Sequence, residues 1–83
     1  MKFRLEWKEG AIRQLEKLEP ILSKRIFKKV SELKQDPFTK EIKRLKKEKA
    51  FRLRIGNYRV IFDLDVKNKV IIILRLGHRK NIY

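Results

Sequence analysis

Phe51, Leu53, Ile55, Tyr58, Val60, Phe62 and Leu64 occupy every second position on either side of a Gly56-Asn57 pair, and all the residues between them except Ile61 are polar. That pattern describes a two-stranded antiparallel hairpin with one apolar face. Glycine accepts positive φ in a two-residue loop, so Ile55 is expected opposite Tyr58 and Arg54 opposite Arg59. The seven apolar residues then share the core side, and Arg52, Arg54 and Arg59 share the other. Like charges facing each other across strands cost up to ~1 kcal/mol per pair. A sheet selected for stability alone avoids them, even with Asp63 and Asp65 on the same face to relieve the repulsion. The chain has 15 lysines and nine arginines, yet these positions hold arginine. The planar guanidinium fork suits phosphate oxygens better than a point charge does.

The next strand, Val70 to Leu76, is apolar as far as Leu74, so periodicity does not orient it. Keeping Arg75 out of the core selects a three-residue loop at Val66-Lys67-Asn68. Val70, Ile72, Leu74 and Leu76 then point inward, and Arg75 lies beside Arg59. This register leaves Ile61, Ile71 and Ile73 on the open face among the arginines. Two readings follow: a protein contact, or cover from the first strand, the preceding connection or the C-terminal tail.

Upstream, Phe3, Leu5 and Trp7 alternate with charged residues, as in a half-buried strand. Ala11, Ile12, Leu15 and Leu18 follow helical spacing up to Pro20, which suits the first turn of a second helix. In that helix Leu22, Ile26, Val30 and Leu33 form a stripe bordered by Ile21 and Phe27, ending at Asp36-Pro37. Phe38 to Ala50 reads as a lysine-rich connection, loop or frayed turn. The expected architecture is α+β, a helical hairpin packed on a mainly antiparallel four-stranded sheet in the order β-α-α-β-β-β, as one domain over residues 1–83.

The net charge is +14, and half of that excess falls between residues 40 and 59. Such concentration favours a polyanionic partner, nucleic acid or an acidic protein segment. Lys43, Arg44, Lys46, Lys47 and Lys49, with Arg75, are expected to add salt-sensitive affinity for an RNA backbone. The chain has no cysteine and one histidine, His78, so neither a disulfide framework nor a metal site is expected, and no cofactor. The N-terminus lacks an apolar signal core and the longest apolar run is too short to span a bilayer, so a soluble cytoplasmic protein without membrane contact is expected.

The strings FRLRIGNYRVIF (residues 51–62) and LRLGHRKNIY (residues 74–83), with Asp36-Pro37-Phe38 and Leu45 upstream, resemble the RelE/ParE toxins of bacterial and archaeal toxin–antitoxin modules. For the RelE branch the resemblance implies an mRNA interferase: a ribosome-dependent endoribonuclease that enters the A site, cuts mRNA there and inhibits translation. Its chemistry is metal-independent, the ribose 2′-OH attacking the adjacent phosphate. By position, Arg52, Arg54, Arg59 and Arg79 match basic residues of that site, and Tyr83 matches the tail tyrosine that stacks on or orients the nucleotide. An arginine, always protonated in a protein, stabilises charge but is a poor proton acceptor. His78 is therefore a candidate general base, against the alternative that it only caps the turn. The ParE branch shares the fold, poisons DNA gyrase and does not keep the cleavage residues. A non-catalytic nucleic-acid-binding module is the other alternative. The resemblance also implies an acidic, RelB-like cognate antitoxin, expected to meet Arg59, Ile61, Ile71, Ile73 and Arg75.

Overall fold

The computed structural model describes residues 2–39 and 41–82. Its elements are β1 (Arg4–Trp7), α1 (Glu9–Glu16), α2 (Pro20–Glu32), β2 (Ile42–Arg44), β3 (Phe51–Ile55), β4 (Tyr58–Asp65), β5 (Val70–His78) and a final turn of helix, α3 (Arg79–Ile82). The sheet has five strands in the order β1-β5-β4-β3-β2, antiparallel except where β1 joins β5. The α+β class and the helical hairpin are as expected, but the sheet gains a strand. The lysine-rich connection contributes β2, which pairs Ile42 with Leu53 and Lys43 with Arg52. Its physical reason lies in β3, whose outer edge would otherwise expose unpaired N–H and C=O groups. Ile42 also finds the core there, packing half-buried against it.

Pro20 opens α2 at a position where its missing N–H costs nothing. Ile26 and Val30, one turn apart, are fully buried, and Leu33 follows them into the core. From α1, Ala11 is fully buried, and its small side chain lets that helix approach closely. Together they cover Leu53, Ile55, Val60, Phe62, Ile71, Ile73 and Leu76. Phe51 and Phe62 stack across β3 and β4 with ring centroids 5.7 Å apart. Fully burying a side chain of this size contributes about 1.5–3 kcal/mol, so this face of the sheet carries most of the stability.

The β3–β4 hairpin has the expected register, with Ile55 opposite Tyr58 and Arg54 opposite Arg59. Gly56 sits at φ 57°, where a side chain would be strained. The β5 register is different from the expected one. Asp65 pairs with Val70, so the connecting turn has four residues, 66–69, with Lys69 at φ 55°. Asp65 closes that turn by accepting hydrogen bonds from Asn68 N–H (3.0 Å) and Nδ2 (2.8 Å). The extra turn residue shifts the strand by one, bringing Ile71 opposite Leu64 and Ile73 opposite Phe62. Both isoleucines are therefore core residues with no exposure, not part of the open face. The register jumps between Ile61 and Phe62, leaving Leu74 as the extra residue of a bulge. The jump returns Leu76 to the core and Arg75 to the open face, where Arg75 lies opposite Ile61 and not Arg59.

Candidate nucleic-acid interface

Residues paired across strands share a face, so the ladder defines two rows of side chains on the side away from the helices. One row runs Lys43, Arg52, Ile61, Arg75. The adjacent row runs Arg54, Arg59, Gly77. Further along the sheet the same face holds Asp63 and Asp65, with Arg4 and Glu6 brought alongside by β1. The face is thus divided into a cationic end and a mixed, largely acidic end. At the cationic end, Glu41, Lys43, Arg52 and Arg54 line a hollow of about 230 Å³. Glu41 is there because its carbonyl accepts the Arg54 N–H (3.1 Å), extending the β2–β3 pairing by one step.

The arginines have different environments. Arg54 is exposed, and Arg52 is half-buried between Lys43 and Ile61. Arg59 is buried, at 8% exposure. Its Nη1 donates to the carbonyls of Gly56 and Tyr58, both at 2.9 Å, so the guanidinium curls back and clasps the hairpin turn. Arg75 pairs with Glu48 at 2.5 Å. Arg79 is exposed, and its N–H donates to Asn57 O (2.8 Å), fixing the start of α3 beside the β3–β4 turn that Arg54 and Arg59 flank. Arg54, Arg59 and Arg79 therefore converge on one end of the sheet from three different elements.

His78 does not join them. It pairs with Tyr58, whose neighbours in the ladder face the helices, and the two rings meet edge to face at 5.5 Å. Its surroundings are Gln14, Lys17 and Leu18 of the helical hairpin, and its Nδ1 accepts the Lys80 N–H at 3.2 Å. It caps the turn into α3 from the opposite side of the sheet. Tyr83 lies outside the described residues. Arg44, Lys46, Lys47 and Lys49 are exposed around the 45–50 turn. Ile61 is on the open face as expected but only 1% exposed. The Glu48–Arg75 contact requires the turn to cross β3 and β4, and so to pass over Ile61.

Sequence reasoning passed over Glu48, Glu41 and Gln14. Glu48 did have a signal, as the single acid within the run from Lys43 to Lys49. Gln14 had none. Its side-chain oxygen accepts the Leu76 N–H (2.7 Å) beyond the point where β1 ceases to pair.

Among the described residues no helix is long and apolar enough to cross a membrane. Residues 5–83 match the family model of the ParE toxin of type II toxin–antitoxin systems. A candidate toxin named RelE1 from Methanocaldococcus jannaschii is 33% identical over the whole of this chain and 97% of its own length. The RelBE2 toxin–antitoxin complex of Mycobacterium tuberculosis contains a chain that superposes with a TM-score of 0.85 at 27% identity, covering 95% of this chain and all of that one. The archaeal RelE–RelB complex of Pyrococcus horikoshii gives 0.84 at 28%, covering 98% and 99%. The free RelE toxin of E. coli, at 18% identity, shares the fold with a TM-score of 0.81. A hairpin-centred sheet under a helical pair, with arginines gathered at one end of its open face, accordingly marks this chain as a member of the RelE/ParE superfamily, the toxins of type II toxin–antitoxin systems.

Proposed function

We propose that this toxin is a RelE-type mRNA interferase that cleaves mRNA in the ribosomal A site. The observation that carries the reading is the pair Arg52 and Arg54, two residues apart on one strand and bordering the same hollow, with Arg59 and Arg79 at the adjoining turn. In the reaction the ribose O2′ forms a bond to the neighbouring phosphorus and the bond to O5′ breaks. The products are a 2′,3′-cyclic phosphate and a 5′-hydroxyl. The phosphorane on the way carries extra negative charge, and fixed cations near it lower the barrier. Arg52 and Arg54 serve in this electrostatic role. Arg79 meets the phosphate from the α3 side, Arg59 holds the turn that orients Arg54, and Tyr83 contributes from the tail. With the reacting groups presented by the ribosome, much of the alignment for in-line attack comes from how it holds the mRNA. Free RNA is then a poor substrate.

RelE chains of known structure are found in complexes with RelB antitoxins. By the same logic this toxin is silenced by an acidic partner that meets Arg54 and Arg75. The name of the matched family model favours a second reading, inhibition of gyrase. Primer extension on translated mRNA after induction separates the two. The interferase reading expects codon-phased cuts that end in cyclic phosphate and vanish with Arg54→Ala. Growth arrest without such cuts, or cuts unchanged by Arg54→Ala, overturns it.

A further inference from the structure

Glu48 stands out among the ion-paired acids. Arg4–Glu6, Arg13–Glu9 and Lys29–Glu32 join residues two to four apart, whereas Glu48 reaches Arg75 across the sheet, 27 residues away in sequence. Arg75 is the far cation of the row that begins with Lys43 and Arg52. The turn that delivers Glu48 is pinched at its base, Leu45 N–H donating to Ala50 O (2.9 Å) and Ala50 N–H to Glu48 O (2.8 Å). The Glu48 backbone is therefore held above the row. The Glu48 and Arg75 side chains are 42% and 40% exposed, so water already competes for both. An ion pair this open contributes little to stability and exchanges readily for another anion. Lys46, Lys47 and Lys49 stand exposed on either side of Glu48, where they attract a polyanion to the exchange point.

We propose that Arg75 is a second phosphate seat, one backbone contact removed from the Arg52–Arg54 hollow, and that Glu48 occupies it as an internal phosphate mimic until an RNA strand displaces it. The inference rests on the interferase reading of the same face and adds to it a built-in competitor. The exchange is a swing of the Glu48 side chain, since the pinched turn need not open. Glu48 thereby raises the threshold for stray RNA. A strand presented in the right path supplies two phosphates at once and wins; one touching only the hollow does not unseat the carboxylate.

The test measures binding of a fluorescent 2′-O-methyl oligoribonucleotide, which cannot be cleaved, between about 50 and about 200 mM salt. Each phosphate contact to a single strand contributes about −0.7 to the slope of log K against log salt. Glu48→Gln is expected to steepen the slope by about 0.7 and tighten binding about fivefold near 0.1 M salt, the share of one contact at that slope. Arg75→Gln in the Glu48→Gln background should cancel both gains. Glu9→Gln, the same charge change on α1, should produce neither. Salt-dependent binding by the wild type with Glu48→Gln and Glu9→Gln alike, or a Glu48→Gln gain that survives Arg75→Gln, overturns the second seat and leaves the interferase reading standing. Absence of salt-dependent binding in every variant likewise overturns the second seat, while the interferase reading stands or falls on the codon-phased cuts.

Discussion

Replacing Arg59 with alanine removes two hydrogen bonds from a charged, buried donor to the carbonyls of Gly56 and Tyr58. Bonds of this kind contribute about 1.5–3 kcal/mol each, and the lower figure applies because Gly56 is exposed and Tyr58 only half-buried, so water can reach the freed carbonyls. Two bonds give about 3 kcal/mol. Against this stands relief of repulsion from Arg54 directly opposite, up to ~1 kcal/mol. The net loss is about 2 kcal/mol. In a domain of this size each kcal/mol moves the melting temperature by about 4–8 °C, so a fall of roughly 8–16 °C is expected. Arg54→Ala, at an exposed site, should leave the melting temperature unchanged or slightly raised. Arg59→Met keeps the apolar stem without the donors and should fall nearly as far as alanine. Thermal melts of the three variants followed by circular dichroism decide the matter. Arg59→Ala melting within about 2 °C of Arg54→Ala would refute the turn-clasping role, since that shift is well below the fall expected from about 2 kcal/mol. Loss of toxicity in an Arg59 variant is interpretable only beside this measurement.

Ile73→Ala should cost about 2–5 kcal/mol as a core truncation, whereas Ile72→Ala, on the open face and half-buried, should cost clearly less; denaturant titration of the pair checks the observed β5 register. Hydrogen bonds from the Asn68 side chain and backbone hold the Asp65 carboxyl below its usual pKa. A depressed folded pKa stabilises above the unfolded value and loses that contribution as pH falls through the folded one, so the stability gap between wild type and Asp65→Ala should narrow in melts taken below about pH 4. A gap independent of pH contradicts the role assigned to the Asp65–Asn68 contact.

The hairpin was legible because its determinants are local: strict alternation over Phe51–Leu64 and a glycine at the one position needing positive φ. β2 was not, because three residues containing a single apolar side chain form a strand only against an edge that β3 provides. The β5 register was silent for a different reason. Residues 70–74 are all apolar, so either parity satisfies a hydrophobic pattern, and the outcome was left to turn length and a bulge. Arg52, Arg54 and Arg59 could be placed on one face from alternation alone, whereas Arg79 was named only through the family resemblance. That Arg59 turns back on its own hairpin, that His78 faces the helices and that Glu48 meets Arg75 depend on contacts no spacing encodes.

The bulge at Leu74 also determines where this chain can change length. Every pair before it, down to Ile73 with Phe62, and every pair after it, from Arg75 with Ile61, is already in phase with β4. Excising Leu74 alone would join the two runs into an uninterrupted ladder, with Ile71, Ile73 and Leu76 still inward and Arg75 still outward. Excising Ile72, by contrast, would turn Ile73 to the open face and Leu74 to the core. The interior of β5 thus has a position where a residue can be lost without exchanging the two faces of the sheet, and it lies at the junction between the half that holds β1 and the half that carries the arginines.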